Sequence, residues 1–509
     1  MVINKIKREI NLLTTALVMI SFLVLSGCST VKPRKVEENA ALARYDSCLD
    51  FYYALDEKVT EEEVRDIQAM QIEDYPFLSI NRFLISFQNE LSNKEKRDFW
   101  LAEAMKLNLQ TRKLEWQNIS TTGKKEIENK FLSTWHFKQR IEACGEVLVG
   151  GMSESEKKQA VDQARVSEVY STAMRIFGLY PITSLFVSRQ IDKHQAVTKA
   201  SFLSPLRELP VRGLLQRYVP SASNLSFSHT VSGNNPLNIP VHSQIELNEL
   251  FNRYAPVLEI DETGNYDHIG VMQLDNNNIP YVETNKPAVY YMPSYTRFEG
   301  KSLLQLNYFF WFPERPLKSK YDIYGGKLDG IIWRVTLNED FSPILFDTVH
   351  NCGCYHKFYA TDALDFDEKS TAEEREPILV AQQNLKVQTS VPWVLRIDSG
   401  RHFVNRVYQE SKFDENAKEY QLLSYDNLRS IQGNGLSKGL FDTDGIVHSS
   451  ARLERFILWP MGVPSAGAMR QWGHHAVAFV GRRYFDEPFL IDKYFNSNSQ
   501  AKTLDVAPK

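Results

Sequence analysis

The chain has 509 residues, and its 59 Lys and Arg against 63 Asp and Glu give a net charge of −4. A mildly acidic chain with no basic block argues against nucleic acid as a partner. The length exceeds what a single hydrophobic core usually supports, so we expect two domains.

The first residues have the layout of a secretion signal. Three basic residues, Lys5, Lys7 and Arg8, precede a mostly apolar stretch from Ile10 to Leu25, which is short for a membrane span. The stretch ends in Leu25-Ser26-Gly27-Cys28, which resembles the lipobox of bacterial lipoproteins. We therefore expect residues 1–27 to be a lipoprotein signal peptide. An ordinary N-terminal membrane helix is the alternative.

This resemblance implies a lipid anchor at Cys28. In bacterial lipoproteins the cysteine carries a diacylglycerol and usually an N-acyl chain, and several acyl chains anchor a protein stably. Ser29 stands where an aspartate commonly signals retention in the inner membrane, so the resemblance implies the periplasmic face of the outer membrane. The whole chain also resembles a group of bacterial envelope lipoproteins of unassigned activity. The expected partners are the membrane, through Cys28, and an envelope protein or polymer.

Residues 28–200 are expected to form an all-α helical domain. Between Cys28 and Cys144 the chain has one glycine, and its apolar residues recur at helical spacing. Three capping boxes predict helix starts, at Thr60 with Glu63, Ser92 with Glu95, and Ser153 with Glu156.

Cys48 and Cys144 are candidates for a disulfide bond, because the periplasm is an oxidising compartment in which disulfides persist. A bond between them would close a long loop and stabilise the fold by about 4–5 kcal/mol. Two free buried thiols are the alternative, since sequence alone does not fix connectivity.

Residues 246–509 are expected to form a larger, β-rich and mainly antiparallel domain, after a connector at 201–245 that is rich in Ser, Pro and Asn. The fold class is therefore α+β. Strands are predicted from β-branched and aromatic content at Val257–Ile260, Ala288–Met292, Leu303–Phe312, Gly330–Leu337, Pro343–Val349, Trp393–Ile397 and Ala476–Val480. The aromatic run Tyr308–Phe312 favours a strand buried on both faces, and a sugar-stacking platform is the alternative.

One stretch resembles a second family. Arg253-Tyr-Ala-Pro-Val-Leu258 is followed by a Tyr-Tyr strand, a Gln-x-Asn-Tyr-Phe-Phe strand and a Gly-x-x-Trp strand. Over residues 251–360 this layout is similar to proteins related to a yeast vacuolar-sorting family. That family's acidic residue after the Trp is replaced here by Arg334. The resemblance implies a β-rich fold and no particular chemistry.

The best candidate for chemistry is His350-Asn351-Cys352-Gly353-Cys354-Tyr355-His356. On an extended strand, residues spaced by two face the same way, which puts His350, Cys352, Cys354 and His356 on one face. Six residues of strand advance about 20 Å, so a shared metal needs a bend at Gly353. A zinc site here is atypical, and His402 or His475 could supply further ligands.

Three other interpretations of this heptapeptide stay open. Cys352 and Cys354 can form a strained disulfide that acts as a clip or an exchange site. One of the two thiols can be a nucleophile activated by His356, His402 or His475. The segment can also be a packed turn with incidental thiols.

Two classes of function follow. The preferred one is a lipid-anchored envelope lipoprotein that faces the periplasm and binds a partner or ligand. The alternative is a metal- or thiol-dependent hydrolase of an envelope polymer that uses the 350–356 region. The sequence has no Gly-x-Ser-x-Gly, His-Glu-x-x-His, phosphate-loop or dinucleotide motif, and whether the protein is an enzyme stays open.

Overall fold

A computed structural model describes residues 40–132, 135–221, 235–388, 391–411, 416–433 and 435–498. The signal peptide and Cys28 lie outside these ranges, so the lipid anchor stays a prediction. The chain divides after Ser47 into two units, and the described residues of the first are the beginning of a helix. The second unit holds residues 48–509. In the described ranges, no helix is both long and apolar enough to cross a membrane.

Helices dominate the described chain up to residue 203, with one short hairpin among them. The elements are α1 Ala40–Glu61, β1 Met70–Ile72, β2 Tyr75–Ile80, α2 Arg82–Ile85, α3 Lys94–Asn118, α4 Thr121–Ile127, α5 Phe137–Gly151, α6 Glu154–Gln163, α7 Thr172–Phe177 and α8 Tyr180–Leu203. The hairpin packs on α3, where the amide of Asn108 donates to the Pro76 carbonyl at 3.2 Å. A disulfide bond joins Cys48 of α1 to Cys144 of α5.

The three predicted capping boxes have different outcomes. Ser153 and Glu156 cap α6 reciprocally, as predicted. The cap of α3 is Asn93, one residue after the predicted Ser92, and its side chain accepts from the Lys96 amide. The box at Thr60 is wrong, because Thr60 lies in the last turn of α1 and its hydroxyl donates back to the Asp56 carbonyl at 2.9 Å.

Strands dominate the rest of the described chain. The elements are β3 Leu214–Pro220, α9 Gln244–Arg253, β4 Val257–Glu262, β5 Val271–Leu274, β6 Pro280–Glu283, β7 Ala288–Phe298, β8 Lys301–Arg315, β9 Gly326–Leu337, β10 Pro343–His350, β11 Lys357–Thr361, β12 Leu364–Phe366, β13 Leu379–Leu385, β14 Trp393–Ile397, β15 Val404–Gln409, β16 Lys418–Ser424, α10 Asp426–Arg429, β17 Ile431–Gln432, β18 Ser437–Lys438, α11 Arg455–Leu458, α12 Leu490–Tyr494 and β19 Phe495–Ser497. The α+β class is confirmed.

Eleven strands form one mixed sheet in the order β13-β11-β10-β9-β8-β7-β16-β3-β4-β14-β15. The central pairs β7–β8, β8–β9 and β9–β10 are antiparallel, and β16 is parallel to both of its neighbours. The two edge strands meet through Gln382 of β13, whose side chain donates to and accepts from the Val407 backbone of β15 at 3.0 and 2.9 Å. This side-chain bridge nearly closes the sheet into a barrel.

The interior of the sheet is a packed apolar core. Along β8, side chains alternate between two clusters: Leu306, Tyr308 and Phe310 point to the inner core, and Phe309 and Trp311 to an outer one. The aromatic run is therefore buried on both faces, and the sugar-platform alternative is wrong.

Six of the seven predicted strands lie within observed ones. The exception is Ala476–Val480, which forms only an isolated bridge from Ala476 to Tyr484. The stretch predicted as a connector, 201–245, contributes β3 to the large sheet and the beginning of α9. The predicted boundaries at 200 and 245 stay predictions.

Candidate functional site

The heptapeptide 350–356 forms a tight turn between β10 and β11. The Gly353 amide donates to the His350 carbonyl at 2.7 Å, and the His350 amide donates to the Cys354 carbonyl at 2.9 Å. Gly353 has φ +93°, and a Cβ there would lie 2.5 Å from the Ala476 carbonyl oxygen. Only glycine fits both the backbone angle and the space. The expected extended strand with four side chains on one face is therefore wrong.

The turn sends the two histidines to different carboxylates. His350 Nδ1 lies 3.5 Å from Asp329 Oδ1 on β9, whereas His356 Nε2 lies 2.7 Å from Asp347 Oδ2 on β10. Arg334 also donates to Asp347, through Nε at 2.8 Å and Nη2 at 2.5 Å. Across the described ranges, no group of three or more His, Cys, Asp or Glu side chains is placed to hold a metal. Zinc stays a prediction.

Cys352 and Cys354 are free thiols in this turn. A hydrogen bond with Cys354 lowers the pKa of Cys352, while the same bond and burial raise the pKa of Cys354 well above its ordinary value. Cys352 is therefore the sulfur that ionises more readily. No hydrogen bond among the described residues joins either thiol to His402 or His475. Burial lowers the pKa of His475 to about 3, so this histidine is neutral.

His402 belongs instead to a buried network of charges at the end of the sheet. Its Nδ1 lies 2.8 Å from Asp329 Oδ2 and its Nε2 lies 3.3 Å from Asp267 Oδ1. Burial opposes the charged form of His402, but the two carboxylates outweigh burial and raise its pKa. The His402 ring also stacks on Phe312, with centroids 3.9 Å apart.

Arg452 completes this network from the C-terminal part of the chain. Its Nη2 lies 3.2 Å from Asp329 Oδ1. Burial raises the pKa of Asp329, but Arg452 and the neighbouring histidines lower it well below its ordinary value. Asp329 and His402 are fully buried. We therefore assign the network a structural role: it ties the segment around Arg452 to β9.

A cavity of about 310 Å³ lies where this turn meets α8, and we call it the cap cavity. Its wall is formed by α8, residues 353–356, residues 376–379, the segment around α11, and residues 477–483. Its ionisable lining residues include His194, Cys354, His356, Glu376, Glu454 and Arg483. Gln190 and Tyr324 are exposed and lie at its rim, so solvent can enter.

Two carboxyl groups in the cap cavity titrate near neutral pH. Burial raises the pKa of Glu376 to about 7, although its Oε2 accepts from the Phe479 and Val480 amides, both at 2.7 Å. Burial also raises the pKa of Glu454 to about 7. Each carboxyl can therefore donate or accept a hydrogen bond at neutral pH. Groups with such shifted pKa values in a cleft are typical of binding and catalytic sites.

His194 gives the cap cavity a neutral imidazole. It extends from α8, and its ring lies 5.1 Å from that of Tyr355. Burial and nearby cations, Lys357 first, lower the pKa of His194 to about 4. At neutral pH it therefore adds a donor and an acceptor without a positive charge.

A second, larger cleft of about 470 Å³ runs along β7. Most of its charged side chains have ionic partners: Arg82 lies 3.3 Å from Asp486, and Arg429 lies 2.8 Å from Asp426 and 2.8 Å from Asp66, which is outside the lining. Because these charges already have ionic partners, they are less available to a ligand. The cap cavity is therefore the stronger candidate for a binding site.

Of the candidates from sequence, only Cys354 and His356 line the cap cavity. His194, Glu376, Glu454 and Arg483 were missed, because they stand far apart in the chain and none belongs to a recognisable motif. Comparison with protein-family models, curated proteins and solved structures finds no match to this chain.

Proposed function

We propose that the chain is an envelope lipoprotein, acylated at Cys28, that faces the periplasm from the outer membrane and binds a ligand in the cap cavity. The lipobox supports the location. The observation that carries the binding function is the convergence of His194, Glu376, Glu454 and Arg483 on one solvent-accessible cavity. These side chains come from four separate segments. Burying ionisable groups costs free energy, so packing alone does not account for their position at one cavity.

The lining favours a small ligand with both apolar and hydrogen-bonding groups. Ile191, Leu379 and Phe479 supply apolar contacts, and the two carboxyls supply donors and acceptors. A volume of about 310 Å³ is at the lower end of the range for ligand pockets. The cavity therefore suits one short unit, such as the end of an envelope glycan or peptide.

The alternative, a thiol-dependent hydrolase, is supported by one observation: Cys354 lines the cavity. The electrostatics weigh against it, because the thiolate is the nucleophile and Cys354 has a strongly raised pKa. Cys352 ionises more readily, but it is only 3% exposed and does not line the cavity. Binding is therefore the preferred function.

The binding function is tested by calorimetric titration of the mature chain with short peptidoglycan and lipopolysaccharide fragments. Glu376→Gln and Glu454→Gln keep the shape of the side chain and remove its negative form, so each is expected to weaken binding at least tenfold. Glu373→Gln, at an exposed neighbour, is the matched control and should bind as wild type. Equal affinity in all three variants would refute binding in this cavity.

The lipid anchor has a separate test. Mass spectrometry of the N-terminal peptide of the native protein should find an acylated Cys28. An unmodified Cys28, or cleavage elsewhere, contradicts the proposed anchor without affecting the binding experiment.

A further inference from the structure

Exposed apolar side chains concentrate on α7, α8 and α11. Between Ile176 and Phe186 and on α11, eight large ones are each more than half exposed: Ile176, Phe177, Leu179, Ile182, Leu185, Phe186, Phe456 and Ile457. We call this set the apolar face. Soluble proteins seldom expose so many large apolar side chains together unless the surface meets a partner or a membrane.

The three segments of the apolar face are tied to one another. Gly178, between α7 and α8, packs so closely on Pro460 that a Cβ would lie 2.4 Å from it. Arg175 Nε donates to the Met461 carbonyl at 2.8 Å. Pro460 and Met461 directly follow α11, so Phe177 and Phe456 belong to one region of the surface.

Basic residues accompany the apolar ones. From Thr172 to Leu203 the chain has four basic residues and one acidic residue, Asp192, although the whole chain is acidic. Arg189, Lys193 and Lys199 are exposed. A helix that exposes both apolar and basic side chains is typical of one that lies in the plane of a membrane whose headgroups are anionic.

We propose that the apolar face docks on a lipid surface that carries anionic headgroups. This inference rests on the proposed envelope location. A second copy of the chain fits less well, because a symmetric contact would place like charges of α8 opposite each other.

Docking would also orient the cap cavity. Val187, Ile191 and His194 of α8 line that cavity, whereas Ile182, Phe186 and Lys193 of the same helix are on its exposed side. With α8 against headgroups, the cavity lies directly behind the helix. The expected ligand is therefore one that is available at the membrane surface.

The test uses the mature chain, residues 28–509, with Cys28→Ala so that no acyl chain contributes. It is mixed with vesicles of phosphatidylethanolamine and phosphatidylglycerol, or of phosphatidylcholine alone, and floated in a density gradient. We expect flotation with the anionic vesicles, and weaker flotation at high salt because salt screens the basic residues.

The triple variant Phe177→Ser, Phe186→Ser and Phe456→Ser should reduce partitioning at least about tenfold, since it removes three exposed aromatic side chains. The matched control is Ile279→Ser, Tyr281→Ser and Leu436→Ser, which changes exposed apolar residues outside the apolar face and should float as wild type. Replacing Arg189, Lys193 and Lys199 by Gln should remove the salt dependence.

Three outcomes overturn the proposal: no flotation of the starting chain, equal flotation of the triple variant and its control, or a dimer in light scattering that only the triple variant dissociates. The last outcome would make the face a contact between copies. Ligand titration of the same samples separates this failure from that of the cavity, because none of the substituted side chains lines it.

Discussion

Replacing Arg452 by Met should destabilise the fold by about 3–5 kcal/mol, the usual cost of removing one partner of a buried ion pair. Arg452 is 3% exposed and Asp329 is fully buried, so little water can replace the lost guanidinium. The carboxylate would keep only imidazoles as close partners among the described side chains, His402 at 2.8 Å and His350 at 3.5 Å. Arg452 Nη2 also donates to the Leu328 carbonyl at 3.0 Å, and that acceptor would lose its partner.

Urea unfolding followed by circular dichroism measures this cost. Asp329→Asn should be similarly destabilising, and the double variant should cost less than the sum of the singles by about 1–3 kcal/mol, because both remove the same interaction. Arg455→Met, three residues further along, is the matched control and should stay within about 0.5 kcal/mol of wild type. Additive single effects, or a cost below about 1 kcal/mol for Arg452→Met, would refute the structural role of the network.

Three further predictions concern the turn, the disulfide and pH. Gly353→Ala should cost more in urea unfolding than Gly300→Ala: both have positive φ, but only Gly353 has a carbonyl oxygen 2.5 Å from the new Cβ, which adds about 1–3 kcal/mol. Cys48→Ser should lower stability by about 4–5 kcal/mol, because the bond closes a loop with a sequence separation of 96 residues; unchanged unfolding would show that the thiols are reduced in the native protein. Glu376 has a folded pKa of about 7, above its unfolded value, so its protonated form stabilises the fold at acidic pH and this contribution is lost as pH rises from about 4.5 through 7. The difference in stability between Glu376→Gln and wild type should therefore change by about 3 kcal/mol in favour of the variant between pH 4 and pH 8; a pH-independent difference would contradict the raised pKa.

Sequence patterns predicted strands and helix starts correctly where the hydrogen-bond partners of the backbone lie close by in the chain. The strands predicted at Gly330–Leu337 and Pro343–Val349 are present and pair as β9 and β10, with Phe346 opposite Val335. The capping box at Ser153 is also correct. The same motif at Ser243 and Glu246 starts α9 and was not recognised, because it lies in a polar stretch interpreted as a connector.

Tertiary contacts account for the wrong strand at Ala476–Val480. Its residues have the β-branched and apolar content of a strand, but their amides find other acceptors. The Phe479 and Val480 amides donate to the Glu376 carboxylate, and the Val477 amide donates to the Arg483 carbonyl. A buried carboxylate that is 103 residues away in the chain replaces the partner strand, and no local pattern predicts such an acceptor.

The heptapeptide lies at the wall of the cap cavity, but its sequence did not predict the other ionisable side chains that line the cavity. The pattern of alternating His and Cys assumed an extended backbone, and Gly353 breaks that assumption by turning the chain under the Ala476 carbonyl. The turn moves His350 to Asp329 and leaves Cys354 and His356 at the cavity wall.

Helical spacing places the residues used in the two proposals on two different faces of α8. Residues 187, 190, 191, 194 and 195 line the cap cavity, and this is the i, i+3, i+4, i+7, i+8 pattern of one helix face. Residues 182, 186, 189, 193 and 197 repeat every three or four positions on another face of the helix. All five are exposed, and each is apolar or basic. A helix that only covered the sheet would need polar residues on its outer face. Apolar and basic side chains lie there instead, and the opposite face of the same helix lines a cavity with two carboxyls that titrate near pH 7. The proposed ligand binding and the proposed membrane docking would therefore use two faces of one helix.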